Sequence, residues 1–152
     1  MSEGLFYIRN EERDPRCLKR RNTYRGEVAQ GEDGVWTYSY TDWGTIYPSL
    51  DTWDAGTVMV MEVEPVSDVL PMFAKYDTGE ILESDSTHVV IRFTKRSFVP
   101  IAVNNGAQGV SFRLLRVAVY DERSWLRAKS LKENGGLPSL VIDWSMMPDP
   151  RG

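Results

Sequence analysis

Between Gly4 and Tyr120 the chain returns repeatedly to a two-residue period and nowhere sustains a 3.6-residue one. VWTYSYT (35–41) is the cleanest case, with Trp36, Tyr38 and Tyr40 on one parity and Val35, Thr37, Ser39 and Thr41 on the other. TVMVMEVE (57–64), THVVIRFT (87–94) and VSFRLLRVAVY (110–120) repeat the habit, and turn-rich stretches such as GEDG, DTGE and NNGAQG punctuate them. Strands that follow strands without helical crossovers pair antiparallel. The expected fold is therefore mainly β, an antiparallel sandwich or barrel of about seven to eight strands with one packed C-terminal helix.

Within that frame GLFYIRN (4–10) reads as a first strand, and GEDG joins 24–29 to 35–41 in a hairpin. Residues 57–64 are apolar on both faces at their start, which suits a central strand. Pro100 places 98–104 at a sheet edge. Residues 110–120 put Val110, Phe112, Leu114, Arg116 and Ala118 on one face, and LPSLVIDWSM (137–146) returns as a last strand. SDVLPMFAKYD (67–77) does not choose between helix and strand, because Ser67 suits an N-cap and Pro71 interrupts what would follow. The helix is set at about 121–134: Asp121 caps it, Trp125, Ala128 and Leu131 keep its period, Lys129 and Lys132 suit its C-terminal dipole, and NGG stops it. One domain spans 1–152, with a frayed tail at 147–152.

The single cysteine, Cys17, lies in RDPRCLKRR, where neighbouring cations favour a thiolate; an isolated free thiol in a reducing compartment is the preferred reading. The chain opens without a basic segment followed by an apolar one, and no apolar run approaches the ~20 residues of a membrane span. These features predict a soluble cytoplasmic protein, of its own cell or of a host, with no membrane contact.

Net charge is −4, and its distribution is uneven. Residues 1–25 carry seven Lys/Arg against four Asp/Glu, 26–94 carry two against thirteen, and 95–152 carry nine against five. The balances are +3, −11 and +4. Such a field steers partners and does not select the fold.

His88, with Asp85 close by, is the one candidate general base, since an imidazole titrates near neutrality and a carboxylate orients it. Three residues of separation make no motif, and a structural strand histidine is preferred. One histidine and one cysteine are too few soft ligands for zinc. Asp77, Glu80, Glu83 and Asp85 offer oxygen ligands for calcium, but their spacing matches no calcium loop, so this stretch reads as a solvated acidic loop. No metal and no cofactor is expected. In KRRNTYRG (19–26), Arg20, Arg21 and Arg25 beside Tyr24 are candidates for a phosphate or other anion. The plainer alternative is that they pair with the acidic block, and the negative net charge argues against a nucleic-acid partner.

The function expected from these features is a non-enzymatic protein-binding module, of the inhibitor or immunity type, that docks an acidic, aromatic-bearing surface onto a macromolecule with a basic groove. Trp36, Tyr38 and Tyr40 are assigned to the core wall, because the hydroxylated opposite face suits solvent. The contact surface falls in the irregular stretch beyond them, on Trp43, Tyr47 and Trp53 with Asp42, Asp51 and Asp54. Alternatives are a nucleotide or sugar binder using the same aromatic loop, a small enzyme with His88 as base, or a structural subunit of a particle. The sequence sets no oligomeric state.

Overall fold

The computed structural model of the chain describes residues 8–75, 79–98, 100–104, 109–137 and 139–141. They form eight strands, β1 (Thr23–Gln30), β2 (Trp36–Ile46), β3 (Val58–Pro65), β4 (Phe73–Ala74), β5 (Gly79–Ser84), β6 (His88–Phe93), β7 (Ile101–Asn104) and β8 (Val110–Tyr120), followed by one helix, α1 (Glu122–Glu133). All pairings are antiparallel, in the order β4-β7-β2-β8-β3-β6-β5, with β1 on the other side of β2. β4 and β5 approach each other, so the sheet curls into a nearly closed barrel.

The apolar-both-faces reading of β3 has a direct explanation. The strand lies between β8 and β6 and is covered on both sides. Met59, Met61 and Val63 face the barrel interior with Val89, Ile91, Phe93 and Phe112. Val58 and Val60 face outward, where α1 covers them with Trp125 and Ala128, and Ile8, Leu140 and Val141 fill the same layer. Asp121 caps α1 by accepting from the Ser124 amide at 2.7 Å, and Gly135 follows the helix at φ +79°.

β8 departs from the single alternation expected of it. Glu62 pairs with Arg116 and Val63 with Leu114, so Leu115 is an extra residue, a bulge. The parity reverses there. Val110, Phe112 and Leu114 point inward before the bulge and Val117 and Val119 after it, while Ala118 and Tyr120 face the helix. β2 covers one edge of β8 as far as Leu114. Beyond that point the N-terminal segment takes over that role: Glu11 donates to Val119 O at 2.7 Å, Val117 donates to Pro15 O at 2.9 Å, and the buried Asn10 side chain accepts from the Val119 amide at 2.9 Å.

Other differences have local causes. β7 is interior, between β2 and β4; Pro100 precedes the strand and costs it no ladder bond. β5 occupies most of the stretch read as an acidic loop, with Ile81 turned toward the barrel interior and Leu82 toward the helix layer. The ambiguous stretch from Ser67 resolves into turns and β4. Residues 8–10 of the expected first strand and 137 and 139–141 of the expected last one are not strand, and the remainder of both, with the tail, lies outside the described residues.

β2 does not stop at Thr41. It turns a sharp corner and continues to Ile46, so Trp43 lies on a strand opposite Asn104. The corner depends on two glycines. A Cβ on Gly44 would collide with the Tyr24 carbonyl and lie 2.6 Å from the Tyr40 ring, and one on Gly26 would lie 2.5 Å from that ring. Tyr40 is thus clamped between two backbones, with its hydroxyl 2.6 Å from Thr23 Oγ1. Among the described residues no helix is long and apolar enough to cross a membrane.

Candidate functional site

The fold divides the expected contact residues among separate places. Asp42 and Trp43 sit at the β2 corner. Arg25, whose positive φ of 65° marks the facing irregularity in β1, pairs with Asp42 at 3.1 Å. The Arg25 guanidinium lies 5.0 Å from the centre of the Trp43 ring, and the Tyr24 ring is 5.8 Å away, tilted by 49°. Tyr24 is 56% exposed and Trp43 40%. Asp42 also caps the Trp43 amide at 2.6 Å, and this hydrogen bond leads the causes that hold its carboxyl below the usual range.

The other expected residues lie elsewhere. Trp53 is half-buried against the core, bridges to Ser97 and donates its indole N–H to Ser49 at 2.7 Å. Asp51 pairs with Arg13 at 3.0 Å and Asp54 with Arg96 at 2.6 Å. Tyr47 lines a small cleft of about 220 Å³ with Arg20, Asn22 and the exposed Phe98. Arg20 is the anion candidate left facing a cavity.

Arg21 does not face solvent. Its side chain is wholly buried, and each guanidinium nitrogen is committed. Nε donates to Pro48 O at 2.6 Å, Nη1 to Asp14 Oδ2 at 2.7 Å, and Nη2 to Asp14 O at 2.7 Å and Glu12 Oε2 at 3.3 Å. Glu12, equally buried, accepts from Ser49 Oγ at 2.8 Å. Burial raises the Glu12 carboxyl above its usual range, against the downward pull of Arg21 and Ser49. Cys17 lies in the same nest, 1% exposed. Burial pushes its thiol up to about 12, outweighing the Arg21 cation. The local run of basic residues therefore does not make it a thiolate.

His88 and Asp85 do come together, with Glu83 as a third member. The Asp85 Oδ1 atom accepts from the Thr87 amide, the Thr87 hydroxyl, the His88 amide and His88 Nδ1, the last at 2.9 Å. Nε2 of the same ring lies 3.2 Å from Glu83 Oε1. An imidazole can donate through both nitrogens only when it carries its second proton. Burial opposes that charge, and the hydrogen bonds to Glu83 and Asp85 outweigh it, so the His88 pKa is raised above 6.5. Asp85 is drawn down to about 2: burial resists, while Thr87 and His88 prevail. The trio lines a groove of about 530 Å³ with Glu62, Lys129, Lys132 and Ser139. Each ring nitrogen faces a carboxylate oxygen of its own chain. Of the acids considered for calcium, Glu80 pairs with Arg92 at 3.5 Å, Glu83 and Asp85 are held by His88, and Asp77 lies outside the described residues.

The titration of His88 has a measurable consequence. A folded pKa above the unfolded 6.5 gives stability that is fully present below that value and lost as pH rises through the folded one. His88→Gln is therefore expected to lower the urea midpoint at about pH 5.5 and to match the parent at about pH 9. An equal deficit at both values would show that packing, and no charge, is what the substitution removed.

The acidic middle of the chain is partly neutralised in space. Arg113 pairs with Glu64 at 2.8 Å and with Asp33, and Arg116 pairs with Glu62 at 2.8 Å; these join the Arg13, Arg25 and Arg96 pairs above. Arginines of the two basic ends thus fold onto acids of the centre. Each such exposed pair adds little stability, yet together they cancel part of the field that the sequence blocks suggest.

Comparison with protein-family models, with curated proteins and with solved structures finds no match to this chain.

Proposed function

We propose that the chain is a non-enzymatic protein-binding module that docks through the aromatic face at the β1–β2 corner. The observation that carries this is the Tyr24–Trp43 pair, open to solvent yet held in place, with Arg25 over the indole and Asp42 fixing Arg25. Trp, Tyr and Arg are the residues most enriched where truncation costs binding energy. Their rings and guanidinium are ordered before any partner arrives, which reduces the entropy lost on association. The expected acidic component of the surface contributes less, because Asp42, Asp51 and Asp54 each already face an arginine. His88 favours this reading over the enzymatic one, since both of its nitrogens are engaged.

The test is affinity capture from the cells that make the protein, with the parent chain and a Tyr24→Ala/Trp43→Ala variant side by side. A partner recovered in stoichiometric amount by the parent is expected to bind the variant at least about 30-fold more weakly, the effect of losing ~2 kcal/mol at a hot spot. Circular dichroism should report the same fold for both. A partner retained equally by the folded variant would remove the corner from the binding surface.

A further inference from the structure

The hairpin turn fixes which backbone groups of β1 look outward. Gly31 donates to Val35 O at 2.9 Å and Gly34 donates to Gly31 O at 3.0 Å, with Gly34 at φ +86°. That is a three-residue turn closed by a Gly bulge, and it makes Gly31 and Val35 a hydrogen-bonded pair. Bonded and non-bonded pairs alternate along an antiparallel ladder. The pairs Ala29↔Thr37 and Glu27↔Ser39 then carry the bonds to β2. Gly26, Val28 and Gln30 turn their amides and carbonyls away from it.

Among the described residues nothing meets those groups. β1 pairs with β2 alone, and no side chain bonds the backbone of Gly26, Val28 or Gln30. Exposed edges of this kind are usually guarded by lysine, proline or a bulge. The segment GEVAQ (26–30) has neither lysine nor proline, and its irregularity lies before it, at Arg25.

We propose that this edge pairs with the same edge of a second copy, antiparallel, about a two-fold axis at Val28. The argument is self-complementarity. An isologous contact places each residue opposite its mirror position. Centred on Val28, the register sets Gly26 against Gln30 of the second copy and Val28 against Val28, so that outward donors meet outward acceptors and about six backbone hydrogen bonds form. Glu27 falls opposite Ala29, which avoids a like-charge pair. Tyr24 falls opposite Glu32, and Arg25 falls opposite Gly31, next to that glutamate. Glu32 is exposed and has no cation partner among the described residues, while Arg25 is held by Asp42, so each end of the ladder brings Glu32 near a cation that it shares with Asp42. A register one residue along would set Glu27 against Gln30 and Val28 against Ala29. Each outward-facing residue would then meet one whose backbone groups are already bonded to β2, and the ladder could not form. The pairing rests on the backbone of 26–30, and it brings the second copy beside Tyr24 and Arg25, so a different protein docking at Tyr24 and Trp43 would compete with it.

The experiment is sedimentation equilibrium over a roughly hundredfold range of protein concentration at low salt. The parent is expected to rise from 17.4 kDa toward twice that mass. Val28→Pro removes one outward amide and leaves the bonded pairs at 27 and 29 intact, so it should stay at monomer mass with an unchanged circular dichroism spectrum. Glu32→Arg alters an exposed turn residue and sets like charges at both ends of the ladder; it should weaken dimerisation at least about tenfold, less so as salt rises. A parent that remains monomeric throughout, or a folded Val28→Pro that dimerises as the parent does, overturns the proposal. Dimerisation that Val28→Pro abolishes and Glu32→Arg leaves unchanged overturns the register centred on Val28. Partner capture through the aromatic corner is read separately, by the Tyr24→Ala/Trp43→Ala variant, which leaves the backbone of 26–30 unchanged.

Discussion

Arg21→Ala is expected to lower the stability of the fold by about 3–5 kcal/mol, the range found when one partner of a buried ion pair is removed. The domain as a whole has about 5–15 kcal/mol to lose. The cost does not come from the attraction between charges in isolation, since desolvation offsets most of that. It comes from what stays behind. Glu12 has no exposed surface, and burial already raises its carboxyl against the pull of Arg21. Without Arg21 the carboxylate must ionise in a dry site or take up a proton. The carbonyls of Pro48 and Asp14 also lose their donor. Thermal denaturation at neutral pH should fall by about 10 °C or more. The mechanism predicts a partial rescue: Arg21→Met/Glu12→Gln should recover stability relative to Arg21→Met alone, because the buried carboxylate is replaced by a neutral amide. If the double variant is as unstable as the sum of the two single ones, the network is not coupled in this way.

This network leaves no trace in the local sequence. RDPRCLKRR reads as a solvated basic loop, because nothing in a run of cations announces that one of them is buried. Glu12 and Asp14 lie close in sequence, but Pro48 and Ser49 come from the far side of β2, and only the fold brings them in. The strands of simple alternation are legible, as are the helix and its cap. Val89, Ile91 and Phe93 of β6 face inward as their parity requires. Where alternation fails, a specific residue interrupts it. Leu115 is extra in β8 and is itself apolar beside Leu114, so its bulge is not announced by a turn residue. Gly44 reads as a strand breaker, whereas it sits inside β2 because the Tyr24 carbonyl and the Tyr40 ring leave no room for a Cβ. Read as a breaker, it puts Trp43 in a loop when the residue belongs to a strand. Trp43 is a contact candidate on either reading, since a large aromatic beyond a regular core wall needs a reason to be there. The pairing of Trp43 with Tyr24, 19 residues away, has no signal in sequence; it follows from the β1–β2 register around the corner.

The aromatic wall shared by β2 and β8 carries the other large effect. Phe112→Ala is expected to cost about 3–5 kcal/mol, measured as a shift in the denaturant midpoint at unchanged slope. Phe112 is fully buried at the centre of the barrel interior. Its ring stacks near Tyr38 and Tyr40, each at 6.0 Å, and meets Phe73 edge-on at 5.4 Å. Removing it opens a cavity against three rings that cannot close in. Tyr38 is anchored through its hydroxyl to the Arg21 amide at 2.8 Å, and Tyr40 is held between Gly26 and Gly44. A site that cannot relax shows the upper end of the cavity cost. Trp36→Ala makes the contrast on the same wall. Trp36 is half-buried at the start of β2, and its indole N–H reaches Leu18 O at 3.0 Å near the surface, so its loss should cost clearly less than that of Phe112. A Trp36→Ala deficit equal to or greater than that of Phe112→Ala would mean that the row is stabilised from its exposed end, and that the wall formed by Tyr38, Tyr40 and Phe112 is not the centre of the core.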